Sequence, residues 1–431
     1  MYSYFKNRYY LLRRHLHDLK YHMNVRQALE IILGIRVSLD TIISRIFPNE
    51  NNRVRLALDV LKLSRLDCKY YSSYATRINL EQFDEKSQIF NIGYNENVCL
   101  KRMIELKKPR YEHGNQCIEK GVLLCKFTDT FEYVIRNFDL SRLLNDYYLV
   151  LEPSWSGYAD QRVLYWSRHL KQKVIVQASE QEDYDFVKSL NCNLIPVRFG
   201  ASDWVNDRLF FPIDGEDKVY DVVYVAVYAP YKRHHILFAA VRKLQDKKFK
   251  IALVGMAWKG ERAEIESLLN YYGIRNQVDI FENIKPSDVN KVLNQSKVNV
   301  LLSLKEGSNK SVFEGFFAGI PAIVLKHNIG VNKQYINEKT GQLIEESELC
   351  DALRYFKENW HTYKTREWAV DNISPKSSTK KLNNIIRKLA LNAKEPWTCD
   401  LMVKVNSPEL RYYDDNSEYN AVNLANKYNL K

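Results

Sequence analysis

Two glutamates, Glu306 and Glu314, are separated by seven residues in a segment rich in glycine and small polar residues. The segment lies between two apolar runs, residues 299–304 and 322–325, which are typical of buried strands in a parallel sheet. A loop and a short helix are predicted between these strands. Glu306 would then lie at the carboxyl end of a strand and Glu314 about two helical turns into the next segment. Ligands of open α/β sheets bind at this edge.

The loop that follows the first glutamate has the chemistry to bind an anion. Gly307 permits close approach of the backbone. The next N–H groups are predicted near a helix N-terminus, where phosphate is favoured, and they belong to Ser308, Asn309 and Lys310. The first carboxylate could then hold sugar hydroxyls and the second ribose hydroxyls. From these residues alone the alternative stays open that one glutamate is favoured by the helix dipole and the other is a solvated helix residue.

The elements that must position these residues form an ordered series of five segments. They are residues 200–212, 221–234, 251–255, 278–284 and 306–314. In this order they resemble the C-terminal half of family 4 retaining glycosyltransferases, and the resemblance extends from Gly200 to about Glu345. It implies an α/β protein with the GT-B fold, in which two Rossmann-like domains face each other across a cleft, here with a helical N-terminal extension.

The resemblance also assigns roles to individual residues. Lys232 matches the lysine that holds the donor diphosphate, Gly255 the glycine turn after a buried strand, and Ile284 the residue beside the nucleotide base. One position departs from the family, because Val227 stands where many members have arginine. Arg233 is an adjacent candidate to supply the missing charge, since a guanidinium binds phosphate in a two-pronged way. The alternative is that residues 232 and 233 are a solvated pair at a helix start.

By this resemblance the chain is a hexosyltransferase-type enzyme (EC 2.4) that moves a sugar from a nucleoside diphosphate sugar with retention of configuration. Catalysis would rest on Glu306, Lys232 and Arg233, with the two basic residues stabilising the departing diphosphate. The expected mechanism needs neither metal nor cofactor. The acceptor would be a glycan or a lipid-linked glycan. Two alternatives are a sugar-nucleotide epimerase of the same fold and a non-catalytic protein that binds sugar or nucleic acid.

Length and composition fit two domains in a reducing compartment. A chain of 431 residues with 45% hydrophobic content can bury two cores. Seven cysteines without metal-like spacing indicate reduced thiols and a cytoplasmic protein. No secretory signal or membrane-spanning run is apparent. No Gly-Lys-Ser/Thr phosphate loop, Gly-x-Ser-x-Gly nucleophile turn or zinc-finger spacing is present.

The net charge of +12 is concentrated partly at the N-terminus. Residues 1–46 carry eight Lys or Arg against three acidic residues, a net of +5, interleaved with tyrosine and leucine. This mixture predicts peripheral contact with an anionic membrane, at the inner membrane face. The alternative is an ordinary solvated helical face whose apolar side lies in the core. Nothing in the sequence indicates a nucleic-acid partner.

The predicted domains are a helical or irregular region at 1–118, an acceptor-side domain at 119–212, a donor-binding domain at 213–395 and a tail at 396–431. In the acceptor-side domain a polar loop follows a predicted strand. Trp155 could stack on a sugar ring there, while Ser156 and Gly157 offer hydrogen bonds. The alternative is a loop whose tryptophan closes the domain core.

Overall fold

The computed structural model describes most of the chain. The described residues are 2–19, 23–49, 52, 55–56, 59–60, 94–112, 116–153, 160–167, 172–406 and 410–430. They form two compact units, each made from two stretches of chain. Unit 1 comprises Met1–Val25 and Val205–Ser374, and unit 2 comprises Arg26–Trp204 and Pro375–Lys431.

Helices and strands alternate through both units. The helices are α1 (Tyr2–Leu19), α2 (Met23–Ile46), α3 (Glu96–Leu100), α4 (Thr128–Asn137), α5 (Leu140–Asp146), α6 (Gln161–Leu164), α7 (Gln181–Ser189), α8 (His234–Leu244), α9 (Arg262–Tyr272), α10 (Pro286–Asn294), α11 (Ser311–Phe317), α12 (Leu349–Asn359), α13 (Thr365–Ile373), α14 (Pro375–Asn392) and α15 (Val422–Tyr428). The strands are β1 (Met103–Lys107), β2 (Arg110–Tyr111), β3 (Cys117–Glu119), β4 (Gly121–Lys126), β5 (Tyr147–Glu152), β6 (Val174–Gln177), β7 (Leu194–Val197), β8 (Val222–Val225), β9 (Ile251–Gly255), β10 (Val278–Glu282), β11 (Asn299–Leu301), β12 (Ala322–Leu325), β13 (Gly341–Ile344), β14 (Lys404–Asn406) and β15 (Leu410–Tyr412).

Unit 1 is a doubly wound sheet of parallel strands in the order β10-β9-β8-β11-β12-β13. Its strands are apolar on both faces. In β8, for example, Val222 and Tyr224 pack into the cluster under α8, α9 and α12, while Val223 packs into the cluster under α10, α11 and α13. The strand order reverses between β8 and β11. In such sheets this reversal opens a crevice at the carboxyl ends of the two strands.

Unit 2 has a different strand order. Strands β4, β5, β6 and β7 are parallel and lie side by side in chain order, and β1 is antiparallel at the edge next to β4. Helices α4 to α7 and α15 contribute to the core on one face of the sheet. The other face is covered by α14 and by residues of the β14–β15 region. The predicted α/β class, with a parallel sheet in each of two units, is confirmed.

The unit boundaries differ from the predicted domains. Residues 1–25 lie in unit 1, and residues 375–395, predicted in the donor-binding domain, lie in unit 2. Strand β1 lies within the region predicted to be mainly helical or irregular. Two of its five residues are charged but buried, because Glu105 accepts a hydrogen bond from Tyr147 Oη at 2.5 Å and Lys107 pairs with Glu119 at 2.6 Å. A sequence pattern cannot show that such charges are satisfied by distant partners.

Two further findings bear on the predictions from composition. None of the helices formed by the described residues is both long and apolar enough to cross a membrane. The six cysteines in the described part of the chain are free thiols.

Candidate donor-binding site

A pocket of about 410 Å³ opens at the carboxyl ends of β8, β9 and β11 in unit 1. This volume is within the range of small-molecule sites, roughly 300–1,000 Å³. The structure brings most of the sequence-predicted donor residues to its wall, namely Lys232, Gly255, Ile284, Glu306, Ser308, Asn309, Lys310 and Glu314. Gly307, between two of these residues, is not among the residues that line the pocket.

Lys232 and Glu306 form a buried ion pair at the pocket wall. Lys232 Nζ lies 2.6 Å from Glu306 Oε1, and both side chains are about one-tenth exposed or less. Ser303 Oγ donates a hydrogen bond to the same glutamate oxygen. Lys232 is the last residue of a short 3₁₀ turn, Pro230–Lys232, which follows β8, whereas Glu306 follows β11. The strand-order reversal therefore joins two residues that are 74 positions apart.

Two glycines allow the backbone around this pair to pack closely. A Cβ on Gly255 would lie 2.4 Å from the carbonyl oxygen of Ala226. Any larger residue at this position would therefore push the end of β9 away from the end of β8. Gly330 has φ +109°, and a Cβ there would lie 2.3 Å from the carbonyl oxygen of Glu306. Residues with side chains rarely adopt this φ value. The absence of a side chain at Gly330 thus allows the loop after β12 to pack against the backbone of Glu306.

Glu314 lines the pocket but lies nearer the helix start than predicted. Helix α11 begins at Ser311, so Glu314 belongs to its first turn and not to a second turn. The loop from 306 to 310 remains non-helical and accounts for the difference. Lys310 Nζ lies 3.4 Å from Glu314 Oε1 across this turn. The pocket wall therefore carries a second lysine–glutamate pair beside the first.

Ile284, predicted to lie beside the nucleotide base, lines the pocket. The preceding residue, Asn283, has a left-handed backbone with φ 55° and donates its N–H to the carbonyl of Gly255 at 3.0 Å. This turn directs the end of β10 along the end of β9, and both Asn283 and Ile284 line the pocket.

The structure places Arg233 away from the pocket, in contrast to its predicted diphosphate contact. Its backbone is left-handed, with φ 56° and ψ 40°, between the 3₁₀ turn and α8. The guanidinium is buried and donates to Asp18 Oδ2 at 2.8 Å, Glu346 Oε2 at 2.7 Å and the carbonyl of Leu302 at 3.2 Å. Burial opposes the charged form, but the two carboxylates outweigh this cost and raise the pKa of Arg233. Adjacency in sequence therefore did not place this charge at the site.

Val227, the departure from the family, does line the pocket. The position where many members carry arginine is thus at the site but apolar in this chain. Among the residues that line this pocket, Lys232 and Lys310 carry the positive charge.

The predicted acceptor residues Trp155, Ser156 and Gly157 lie outside the described residues. Their role remains a prediction.

Several lining residues were not singled out from the sequence. Tyr231, Met256, Trp258, Asn283 and Ser311 all contribute to the wall, and Trp258 is 43% exposed with its ring 6.2 Å from that of Tyr231 in an edge-to-face arrangement. Trp258 follows the predicted strand 251–255 by three residues. Its position just beyond the carboxyl end of a buried strand was the available signal.

Among the described residues, one group of side chains has metal-ligating geometry. His15, Asp18 and His235 present possible ligand atoms within 4.8 Å of one another. None of them lines the donor pocket. Asp18 Oδ2 already forms an ion pair with the Arg233 guanidinium. The negative charge that would attract a metal ion to this group is therefore balanced by a side chain.

Residues 206–373 match the family model described as "Glycosyl transferases group 1". This match nearly coincides with the Val205–Ser374 stretch of unit 1. No curated protein matches the chain.

Several solved structures are similar to this chain at low identity. Sucrose-phosphate synthase from Thermosynechococcus elongatus is 16% identical, with 63% of this chain and 74% of that chain covered and a TM-score of 0.49. HepE from Anabaena in complex with UDP is 15% identical, with 62% and 78% covered and a TM-score of 0.49. A TarM mutant from S. aureus is 15% identical, with 61% and 55% covered and a TM-score of 0.47. The family match and the pocket within it lead to one finding: residues 206–373 form a domain that is similar to group 1 glycosyltransferases, and the donor pocket lies within this domain.

Proposed function

We propose that this protein is a retaining hexosyltransferase that uses a nucleoside diphosphate sugar and delivers the sugar to a hydroxyl of a glycan or lipid-linked glycan. The Lys232–Glu306 pair carries the proposal, because it places a cation and a carboxylate at the strand-order reversal of a doubly wound sheet. Such a crevice is where these sheets bind nucleotides.

In the proposed reaction the bond between the sugar's anomeric carbon and the diphosphate breaks through an oxocarbenium-like state. The acceptor hydroxyl forms its new bond on the same face, and its proton leaves with the diphosphate. Lys232 stabilises the negative charge that develops on the departing phosphate. Glu306 binds sugar hydroxyls and orients the anomeric carbon, while Glu314 binds the ribose.

The remaining pocket residues would hold the donor in place. Ile284 lies at the base, and the backbone N–H groups of Ser308, Asn309 and Lys310 face the phosphates. With Val227 apolar and Arg233 engaged elsewhere, the Lys310 side chain is the second cation available to the diphosphate. The two lysines supply the charge for a metal-independent reaction.

Turnover of the donor tests this proposal. The protein is mixed with a panel of uridine, guanosine and adenosine diphosphate sugars, with and without EDTA, and the anomeric configuration of the released sugar is followed by NMR. Slow hydrolysis with retained configuration, unchanged by EDTA, is expected. Inverted sugar would exclude the retaining mechanism. Interconversion of sugar nucleotides would favour the epimerase, and binding without turnover would favour the non-catalytic protein.

We further propose that the protein works in the cytoplasm with peripheral contact to the inner membrane face. Two described helices present apolar side chains to solvent. These are Tyr9, Leu12, Leu16 and Leu19 of α1 and Ile31, Ile32, Ile35, Leu39, Ile42 and Ile46 of α2. Part of the basic charge is neutralised within the chain, since Arg13 pairs with Glu264 and Arg36 with Asp59. Fewer basic side chains are therefore free to attract an anionic membrane than the net charge of +5 indicates. We expect the exposed apolar side chains to contribute the larger share of the membrane-binding free energy.

Vesicle sedimentation tests the membrane contact. The full chain should bind vesicles containing phosphatidylserine at low salt and be only partly released at high salt. The double substitution Ile35→Ser/Leu39→Ser should weaken binding severalfold. Leu391→Ser, which alters a similarly exposed residue in α14, is the matched control. Absence of sedimentation at low salt would contradict the proposal and favour a soluble acceptor.

A further inference from the structure

Helix α1 lies outside the stretch that matches the family model, yet it belongs to unit 1. It packs on α9 and on the turn that carries Lys232. Its apolar residues Tyr10 and Leu11 contact the cluster under α8 and α9. The helix is thus an addition to the matched domain that contacts the donor loop from outside the pocket.

Arg14 of α1 is completely buried against this loop. Its Nη2 donates to the carbonyl oxygen of Tyr228 at 3.0 Å and its Nη1 to that of Ala229 at 3.5 Å. Glu264 Oε2 lies 3.7 Å away and balances the charge. Burial lowers the pKa of Arg14 to about 10, which still leaves the guanidinium charged at neutral pH. A planar guanidinium suits this position because its fork can reach carbonyls of two successive residues.

Asp18, one helical turn further along α1, holds the other end of the same loop. Its Oδ2 accepts from Arg233 Nε at 2.8 Å and lies 3.2 Å from His235 Nε2. Burial opposes ionisation of Asp18, but the close contact with His235 and the charge of Arg233 outweigh it, so the pKa of Asp18 is lowered. One face of α1 therefore contacts the loop both before and after Lys232.

The loop between these two contacts is short, and outside α1 it is held by Tyr224 Oη, which donates to the carbonyl of Lys232, and by the contacts of the Lys232 and Arg233 side chains. It contains a single 3₁₀ turn, closed by hydrogen bonds from the N–H of Lys232 to Ala229 and from the N–H of Arg233 to Pro230. The left-handed Arg233 follows. Such a turn holds a defined position only when its surroundings fix both ends.

We infer that α1 positions the donor loop: Arg14 and Asp18 fix residues 228–233 and thereby keep Lys232 beside Glu306, where it meets the leaving diphosphate. The inference rests on the proposed function. Arg14 is a positioning residue that acts through Lys232 and contacts no reacting atom. A displacement of about 1 Å at a reacting centre can cost on the order of 100-fold in rate.

The first test is kinetic. Arg14→Met should lower kcat for donor turnover by about 10- to 100-fold and change the donor KM by less than about threefold, since charge develops mainly in the transition state. Arg14→Lys should recover part of the loss, because one hydrogen bond and the charge remain. Arg13→Met is the matched control. Arg13 pairs with the same Glu264 at 2.6 Å but, within the described part of the chain, does not hydrogen-bond to the loop, so kcat should stay within about twofold.

A double-mutant cycle separates positioning from a general structural role. If Arg14 acts through Lys232, Arg14→Met should add less than about twofold to the loss caused by Lys232→Ala. Multiplication of the two losses would overturn the inference. Asp18→Asn, which preserves size and removes charge, gives a second variant for the same cycle if Arg14→Met does not fold.

Amide hydrogen exchange tests the loop without requiring activity. In Arg14→Met or Asp18→Asn the amides of Lys232 and Arg233 should exchange at least severalfold faster than in Arg13→Met, while the amides of β12 stay unchanged. Equal exchange would show that α1 does not hold the loop. If the wild-type protein turned over no sugar nucleotide, the proposed function would fail, and this measurement would still decide whether α1 fixes the loop.

Discussion

Each unit of this protein buries a lysine–glutamate pair at the carboxyl end of a parallel strand, but only the pair in unit 1 lines a described pocket. Lys232 and Glu306 are 2.6 Å apart beside about 410 Å³ of open space. Lys404 and Glu152 are 2.8 Å apart in unit 2, with the lysine fully buried and its Nζ 4.2 Å from the ring centre of Trp204. The same ion-pair chemistry is thus open to a ligand in one unit and enclosed in the other.

The strand order explains the difference. In unit 1 the reversal between β8 and β11 separates the loops that follow these strands and leaves a crevice between them. In unit 2 strands β4 to β7 follow one another without reversal. Lys404 of β14 reaches the end of β5, where Glu152 lies, and Lys126 at the end of β4 is 3.8 Å from the same glutamate. A buried charge pair therefore marks a functional site only where the topology leaves it accessible.

The largest expected effect concerns the enclosed pair. Lys404→Met should reduce the free energy of unfolding of unit 2 by about 3–5 kcal/mol, because it leaves Glu152 buried beside an incomplete set of cations. The double variant Glu152→Leu/Lys404→Met should recover most of this loss, since it removes both charges. Urea unfolding followed by tryptophan fluorescence measures both. Donor turnover of the folded variants should change by less than about threefold, and a large loss of turnover at unchanged stability would break the comparison.

The accessible pair should show the opposite pattern. Glu306→Gln and Lys232→Ala should each lower glycosyl transfer by at least roughly 100-fold, in line with loss of one preorganised charge contact at a transition state. Circular dichroism and the urea midpoint should show that both variants remain folded. Near wild-type turnover by both variants would mean that the pair is structural in unit 1 as well.

The two units also differ in how much of them could be predicted from sequence. The apolar strands of unit 1 and its motif order grouped Lys232, Glu306 and Glu314 in one predicted site, and the structure brings all three to the wall of one pocket. Arg233 was predicted at the diphosphate, but its guanidinium pairs with Asp18, which is 215 residues away, and no local pattern indicates that contact. In unit 2, β1 was missed because its buried charges Glu105 and Lys107 depend on partners in other strands. Local sequence patterns therefore predict strands made of apolar residues. They do not predict the position of a charged residue whose partner is distant in sequence.

A smaller effect is expected at the second lysine of the pocket. If Lys310 replaces the arginine that Val227 lacks, Lys310→Met should weaken binding of UDP or GDP by about tenfold, or roughly 1.4 kcal/mol, which is typical of one charged hydrogen bond. Titration calorimetry measures this. Lys339→Met removes an exposed lysine elsewhere in unit 1 and should leave affinity unchanged. Equal affinity of the Lys310 variant would restrict the phosphate contact to Lys232 and the loop amides.

The smallest expected effect is on nucleotide binding by Trp258, an aromatic residue in the wall of the pocket that also carries the lysine–glutamate pairs. Trp258 is 43% exposed and lines the same pocket as Ile284 and Met256, so we expect a flat base to stack on its ring. Trp258→Ala should weaken nucleotide binding by about three- to tenfold, at the lower end of base–aromatic stacking, and Trp258→Phe should recover part of it. Trp360→Ala is the control, since that ring contacts Lys218 and does not line the pocket. Because stacking is equal in ground and transition states, kcat should not change. A fall in kcat with unchanged affinity would instead place Trp258 at the sugar, and the boundary between the binding and reacting parts of this pocket would have to be redrawn.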